Sequence, residues 1–215
     1  MLNLDITKST TPSVLCLGAH ADDIEIGCGG TILKLISDNP KSSFHWVVFS
    51  ARGERANEAK KSAEWFLRDA ADKTIEVKDY RDGVFPYDGA AIKEYFEELK
   101  QTISPDLIFT HQRDDLHQDH RLINELAWNT FREHTILEYE ILKYDGDFGA
   151  PNVFVPLDED TARAKVAAIY STFKTQQNKH WFSEENLLSV LRLRGVESRS
   201  ASHFAEAFYG RKLIF

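Results

Sequence analysis

Short runs that are apolar from end to end alternate along this chain with longer stretches of helical period, and few folds accept that alternation. Residues 13–19, 44–50, 74–77 and 106–110 form the runs. Between and after them, residues 31–36, 55–71, 92–103 and 116–132 repeat apolar side chains at helical spacing, as Ala59, Ala63, Phe66 and Leu67 do on one face. The first helix is expected to end at Asp38-Asn39-Pro40 and the third before Pro105. A strand that is apolar on both faces belongs to a sheet covered on both sides, and strands joined through helices run parallel with right-handed crossovers. The expected fold is therefore α/β: a Rossmann-like, doubly wound, mostly parallel sheet with helices on both faces.

Beyond about residue 135 the pattern changes. Residues 137–144 and 152–157 read as strands joined by a turn through Asp145-Gly146-Asp147, and 160–172 and 184–193 read as helices. No Pro-, Gly- or Ser-rich linker separates this part, and no internal repeat is visible. The expectation is one domain over residues 1–215, with a core of about 13–135 and a C-terminal strand and helix extension of about 136–215.

Composition narrows the partners. Lys and Arg number 26 against 34 Asp and Glu, a formal net charge of -8, which argues against a nucleic-acid-binding face. Cys16 and Cys28 supply neither a disulfide framework nor a four-thiolate metal site. The first residues lack the basic and apolar regions of a signal peptide, and no stretch approaches the roughly 18 apolar residues of a membrane span. A soluble, cytoplasmic protein acting on a small molecule is expected. Apolar and aromatic residues in the C-terminal third leave room for a homo-oligomer interface.

The chemistry gathers where strands end, which is where ligands bind in open parallel sheets. The first run leads into His20-Ala21-Asp22-Asp23, and the fourth into His111, Asp114, Asp115, His117, Asp119 and His120. Imidazole and carboxylate together suit a borderline divalent ion such as zinc, and three protein ligands with one open position make a catalytic site. His20 and Asp23 offer two ligands, and either His117 or His120 offers a third. Asp22 stands beside them as a general base for a metal-activated water. Alone, Asp22-Asp23 fits a helix N-cap and His117/His120 a solvated helix face; together, at equivalent strand ends, they point to a metal site. Gly27-Cys28-Gly29-Gly30 does not complete a dinucleotide-binding loop, because Ile32 stands where the pattern needs glycine. These glycines read instead as a turn and first helix packed closely on the sheet.

With these residues in view, the sequence resembles the PIG-L/LmbE-like family of zinc-dependent N-deacetylases. The resemblance rests on residues 19–31, from Ala19-His20-Ala21-Asp22-Asp23 to Gly29-Gly30-Thr31, and on His117-Gln118-Asp119-His120-Arg121. Arg52-Gly53-Glu54, Pro105-Asp106-Leu107-Ile108-Phe109 and Ala205-Glu206-Ala207-Phe208 support it. Ala21 stands where the family usually has proline, and Ile24 where its strictest form has glutamate. The resemblance implies that His20, Asp23 and His120 hold one divalent ion per chain, zinc or alternatively iron(II). It further implies that Asp22 is the general base, that His117 polarises the substrate carbonyl or holds the oxyanion, and that Asp119 orients a histidine. The implied reaction removes an N-acetyl group from an amino sugar such as N-acetylglucosamine or from a sugar conjugate. Arg52 and Arg199 are candidates for holding the substrate. The alternatives are a phosphoesterase, whose second ion would draw on His111, Asp114 and Asp115, and a nucleotide-binding Rossmann protein with no hydrolytic role.

Overall fold

Val14, Leu15, Cys16 and Leu17 are fully shielded from solvent, so the first apolar run lies at the centre of the molecule. It is β1 (Ser13–His20) of the computed structural model, which describes residues 11–213. There follow α1 (Asp23–Asp38), β2 (Ser43–Ser50), α2 (Glu54–Phe66), β3 (Asp72–Val77), α3 (Gly89–Thr102), β4 (Leu107–His111) and α4 (Gln118–Thr130). The later elements are β5 (Thr135–Tyr139), β6 (Val153–Leu157), α5 (Glu159–Thr172), α6 (Glu184–Ser198) and β7 (Phe204–Gly210).

The strands form one seven-stranded sheet in the order β3-β2-β1-β4-β5-β7-β6. The first five pair in parallel, and β7 runs antiparallel to both β5 and β6. Alternate residues of β1 feed two cores. Val14 and Cys16 pack with α1, α2, α5 and α6, whereas Leu15, Leu17 and Ala19 pack with α3 and α4. The chain leaves β1 towards β2 and β3 on one side and later returns to β4 and β5 on the other. That reversal opens a crevice between the carboxyl ends of β1 and β4, the usual ligand position in such sheets.

Two sequence expectations are corrected. The stretch around Gly27 to Gly30 is no turn: it lies inside α1. Glycine is a poor helix former by about 1 kcal/mol, but a Cβ on Gly27 would sit 2.2 Å from the Tyr139 ring and one on Gly30 2.4 Å from Leu157. Close approach of the helix to the sheet fixes these residues, and the packing outweighs propensity. The second correction concerns β5 and β6, which are not a hairpin: β7 lies between them. A buried charge in the middle of β7 obscured it. Glu206 accepts from the backbone N–H of Gly30 and Thr31 and pairs with Lys165 at 2.6 Å, tying β7 and α5 to α1. Among the described residues no helix is long and apolar enough to cross a membrane.

Candidate metal centre

Between the end of β1 and the start of α1 the chain turns through Asp22, whose φ of 89° lies in the left-handed region. That conformation costs a residue with a side chain roughly 1–2 kcal/mol, and Asp is among the few that adopt it. The turn brings the Asp23 carboxylate back to accept the N–H of His20 at 2.6 Å. From the neighbouring strand, α4 begins after His117, whose Nδ1 accepts the Asp119 N–H at 3.3 Å, and His120 follows in the first turn.

Three atoms converge there. His20 Nδ1 lies 3.2 Å from His120 Nε2, and Asp23 Oδ2 is 3.5 Å from each. The other ring nitrogens have carboxylate partners, which assign the tautomers. His20 Nε2 is 3.1 Å from both Asp119 Oδ2 and Asp82 Oδ1, and His120 Nδ1 is 2.9 Å from Asp115 Oδ2. With protons directed outward to these carboxylates, both rings turn lone pairs inward, towards each other and a carboxylate oxygen. Such a trio calls for a positive charge. Zinc bound at about 2.0–2.2 Å in tetrahedral geometry holds its ligand atoms about 3.3–3.6 Å apart, so the donor set and its spacing fit a divalent ion. Burial disfavours a charge on His20, but hydrogen bonds to Asp119, Asp23 and Asp82 outweigh it and raise the ring's pKa well above the usual histidine value. Burial and the adjacent His111 push His120 down to about 4, leaving it neutral.

His111 ends β4 as His20 ends β1, yet its Nε2 accepts the Ala19 N–H at 2.9 Å, and its fully buried ring stacks 3.9 Å from that of His120. It also lies within ligand distance of Asp23 and His120, but its inward lone pair is already occupied.

Asp22 points elsewhere. Its Oδ1 is 3.7 Å from Arg55 Nη2, and its buried Oδ2 has no hydrogen-bond partner among the described residues. Burial, then the charge of Asp23, push its pKa up to about 7. His117 is half-buried, and burial followed by the charge of His20 lowers its pKa. Since its Nδ1 accepts a backbone N–H, its proton sits on Nε2. His20, Asp22, Asp23, His117 and His120 line a cavity of about 240 Å³, and Arg55, Lys143, Tyr144, Lys179 and Trp181 are among the residues that complete its wall.

The structure thus brings together six residues singled out in the sequence: His20, Asp22, Asp23, His117, Asp119 and His120. Arg52 is exposed, its guanidinium held by the Asp79 carbonyl at 3.0 Å, and it lines an adjoining cleft. Arg199 ends α6 with a φ of 56° and lines neither cleft. Sequence reasoning missed Asp115 as the partner of His120, and Asp82 as the second carboxylate on His20. It also missed the wall residues Lys179 and Trp181. Asp115 was within reach of foresight, because a ligand histidine needs an acceptor for its outer N–H and a carboxylate lies five residues before it. The wall residues sit in irregular segments with no periodic signal.

Residues 15–131, more than half of the chain, match the family model PIG-L, described as GlcNAc-PI de-N-acetylase. Solved structures share the fold. The conserved protein TT1542 from Thermus thermophilus is 18% identical with a TM-score of 0.75, covering 95% of this chain and 97% of that one. GalB, the 4-carboxy-2-hydroxymuconate hydratase from Pseudomonas putida KT2440, is 18% identical with a TM-score of 0.73, covering 95% and 98%. The N,N'-diacetylchitobiose deacetylase from Pyrococcus horikoshii is 22% identical with a TM-score of 0.66, covering 92% and 82%.

Proposed function

The chain belongs to the PIG-L family, and from that premise we propose that it is a metal-dependent N-deacetylase acting on an N-acetylated amino sugar or sugar conjugate. The observation that carries the reading is the triangle of His20 Nδ1, Asp23 Oδ2 and His120 Nε2 beside Asp22, whose buried Oδ2 has no hydrogen-bond partner among the described residues. These three residues would hold the ion, zinc or iron(II). A divalent ion so held supplies Lewis acidity for the acetyl carbonyl and makes a water nucleophilic near neutral pH.

The chain's own groups do the rest. Asp22, whose Oδ2 is buried without a partner among the described residues, accepts the proton of the attacking water and afterwards delivers it to the departing nitrogen. His117 presents its Nε2–H to the carbonyl oxygen as negative charge grows there. Asp119 keeps its contact with His20 Nε2 and also accepts the N–H groups of Gly83 and Phe85, so it fixes a ligand ring and the cleft's border together. The products are acetate and a free amine. Asp22→Asn is expected to retain the ion and lose roughly 10²–10⁴-fold in turnover, read as acetate release from a panel of N-acetylated sugars. Full activity in that variant removes Asp22 from the reaction.

The hydratase that shares the fold supports a second reading, in which the same water adds to a carbon–carbon double bond. Acetate release separates the two, since hydration liberates none. A phosphoesterase with two ions is less well supported. His111 Nε2 already accepts the Ala19 N–H, and Asp115 holds His120 and Lys143.

A further inference from the structure

Ile141, Lys143, Tyr144 and Asp145, which follow β5, line the metal cleft. Lys143 does not reach for solvent. Its side chain is 9% exposed, and its ammonium pairs with two carboxylates, Asp115 Oδ2 at 3.1 Å and Asp147 Oδ2. Asp115 Oδ2 is the same oxygen that lies 2.9 Å from His120 Nδ1. Resting on the metal reading of the site, we infer that Lys143 is a positioning residue of the metal centre: its ammonium clamps Asp115 and Asp147, and through them fixes the orientation of His120 and of the loop that carries His117.

Three observations support it. First, the two carboxylates need a cation. Asp115 is fully buried and the Asp147 side chain nearly so. Carboxylates that share a site out of water repel each other and are costly to keep ionised unless a positive charge joins them. Among the described residues Lys143 is the only lysine or arginine that pairs with either. Second, both carboxylates continue into the loop between β4 and α4. Asp115 Oδ1 accepts the His117 N–H at 2.8 Å, and Asp147 Oδ2 accepts the Leu116 N–H at 2.8 Å. Gln112 Nε2 donates to the Asp147 carbonyl at 3.0 Å, so the loop is strapped to residues 143–147 at several points with the ammonium among them. Third, the fold delivers the clamp. β5 runs parallel beside β4 with Tyr139 opposite His111, so the segments leaving the two strands stay adjacent. Two of the three ammonium donors are thereby committed to carboxylates. The residue stands beyond position 131, where the family match ends, so the centre is braced from outside the matched stretch.

The test measures zinc affinity, by competition with a chelating dye, in the intact protein, Lys143→Met and Lys143→Arg, each checked for folding by circular dichroism. The Met variant keeps the length of the side chain and removes its charge. Zinc affinity is expected to fall roughly tenfold, as when a ligand histidine loses its outer partner. Arginine, whose fork can span two carboxylates, is expected to restore most of it. If Lys143→Met does not fold, Lys143→Gln carries the same prediction. A merely structural lysine would lower the unfolding temperature and leave the zinc affinity of the folded protein unchanged, and that result overturns the inference. So does unchanged zinc affinity with a raised KM for N-acetylglucosamine, which makes Lys143 a substrate-binding group instead. Acetate release is read separately. Weakened zinc binding in the Met variant, with no acetate released by the intact protein from a panel of N-acetylated sugars, overturns the deacetylase reading and leaves the clamp standing. An intact protein that binds no zinc overturns the metal reading and the clamp together.

Discussion

The carboxyl ends of β1 and β4 carry similar residues and do different work. Each strand finishes on a histidine, His20 or His111, and each histidine is followed by a pair of aspartates, Asp22-Asp23 or Asp114-Asp115. At β1 the helix begins at once, so His20 turns Nδ1 and Asp23 turns Oδ2 into the gap. At β4 a loop intervenes before α4. There His111 receives a backbone N–H, Asp115 accepts from His120, and the proposed ligand, His120, comes from one turn into the helix. On the proposed reading, position at a strand end does not make a ligand. A ring nitrogen whose lone pair is free, on a ring whose other nitrogen has a carboxylate partner, does.

The contrast is open to attack by substitution. The largest effect is expected from His20→Ala, which removes a ligand and should leave protein without stoichiometric metal, measured by elemental analysis after dialysis. Retention of one ion per chain would break the distinction between the two strand ends. Next comes Asp115→Asn, which takes the charged acceptor from His120 Nδ1; metal affinity should fall about 10–100-fold, the usual consequence of losing such a partner. The smallest effect belongs to His111→Phe. The ring shape and its stacking on His120 survive, but the Ala19 N–H loses its acceptor. Thermal or denaturant unfolding should show a loss of about 1–3 kcal/mol with metal content unchanged. Loss of the ion in that variant would make His111 a ligand after all.

Much of this was legible in the sequence because the information is local. His20, Asp22 and Asp23 are contiguous, His117 and His120 sit within one helical turn, and the apolar runs announced β1, β2 and β4, whose adjacency brings the two groups together. What stayed hidden depends on distant partners. Gly27 suits a helix only because Tyr139 crosses it, and Glu206 suits the interior of β7 only because Lys165 and two α1 amides meet it. Lys179 and Trp181 reach the cleft from beyond residue 131, where the family match ends. The residues proposed to react therefore belong to the matched stretch, while part of the cleft wall does not.

The central claim is that His20, Asp23 and His120 hold one divalent ion on which acetate release depends. It is tested most directly by titrating metal-depleted protein with zinc at pH 7 while following acetate release. The account predicts that one equivalent per chain restores acetate release. Full turnover by the metal-depleted protein, or recovery only at a second equivalent, would contradict it.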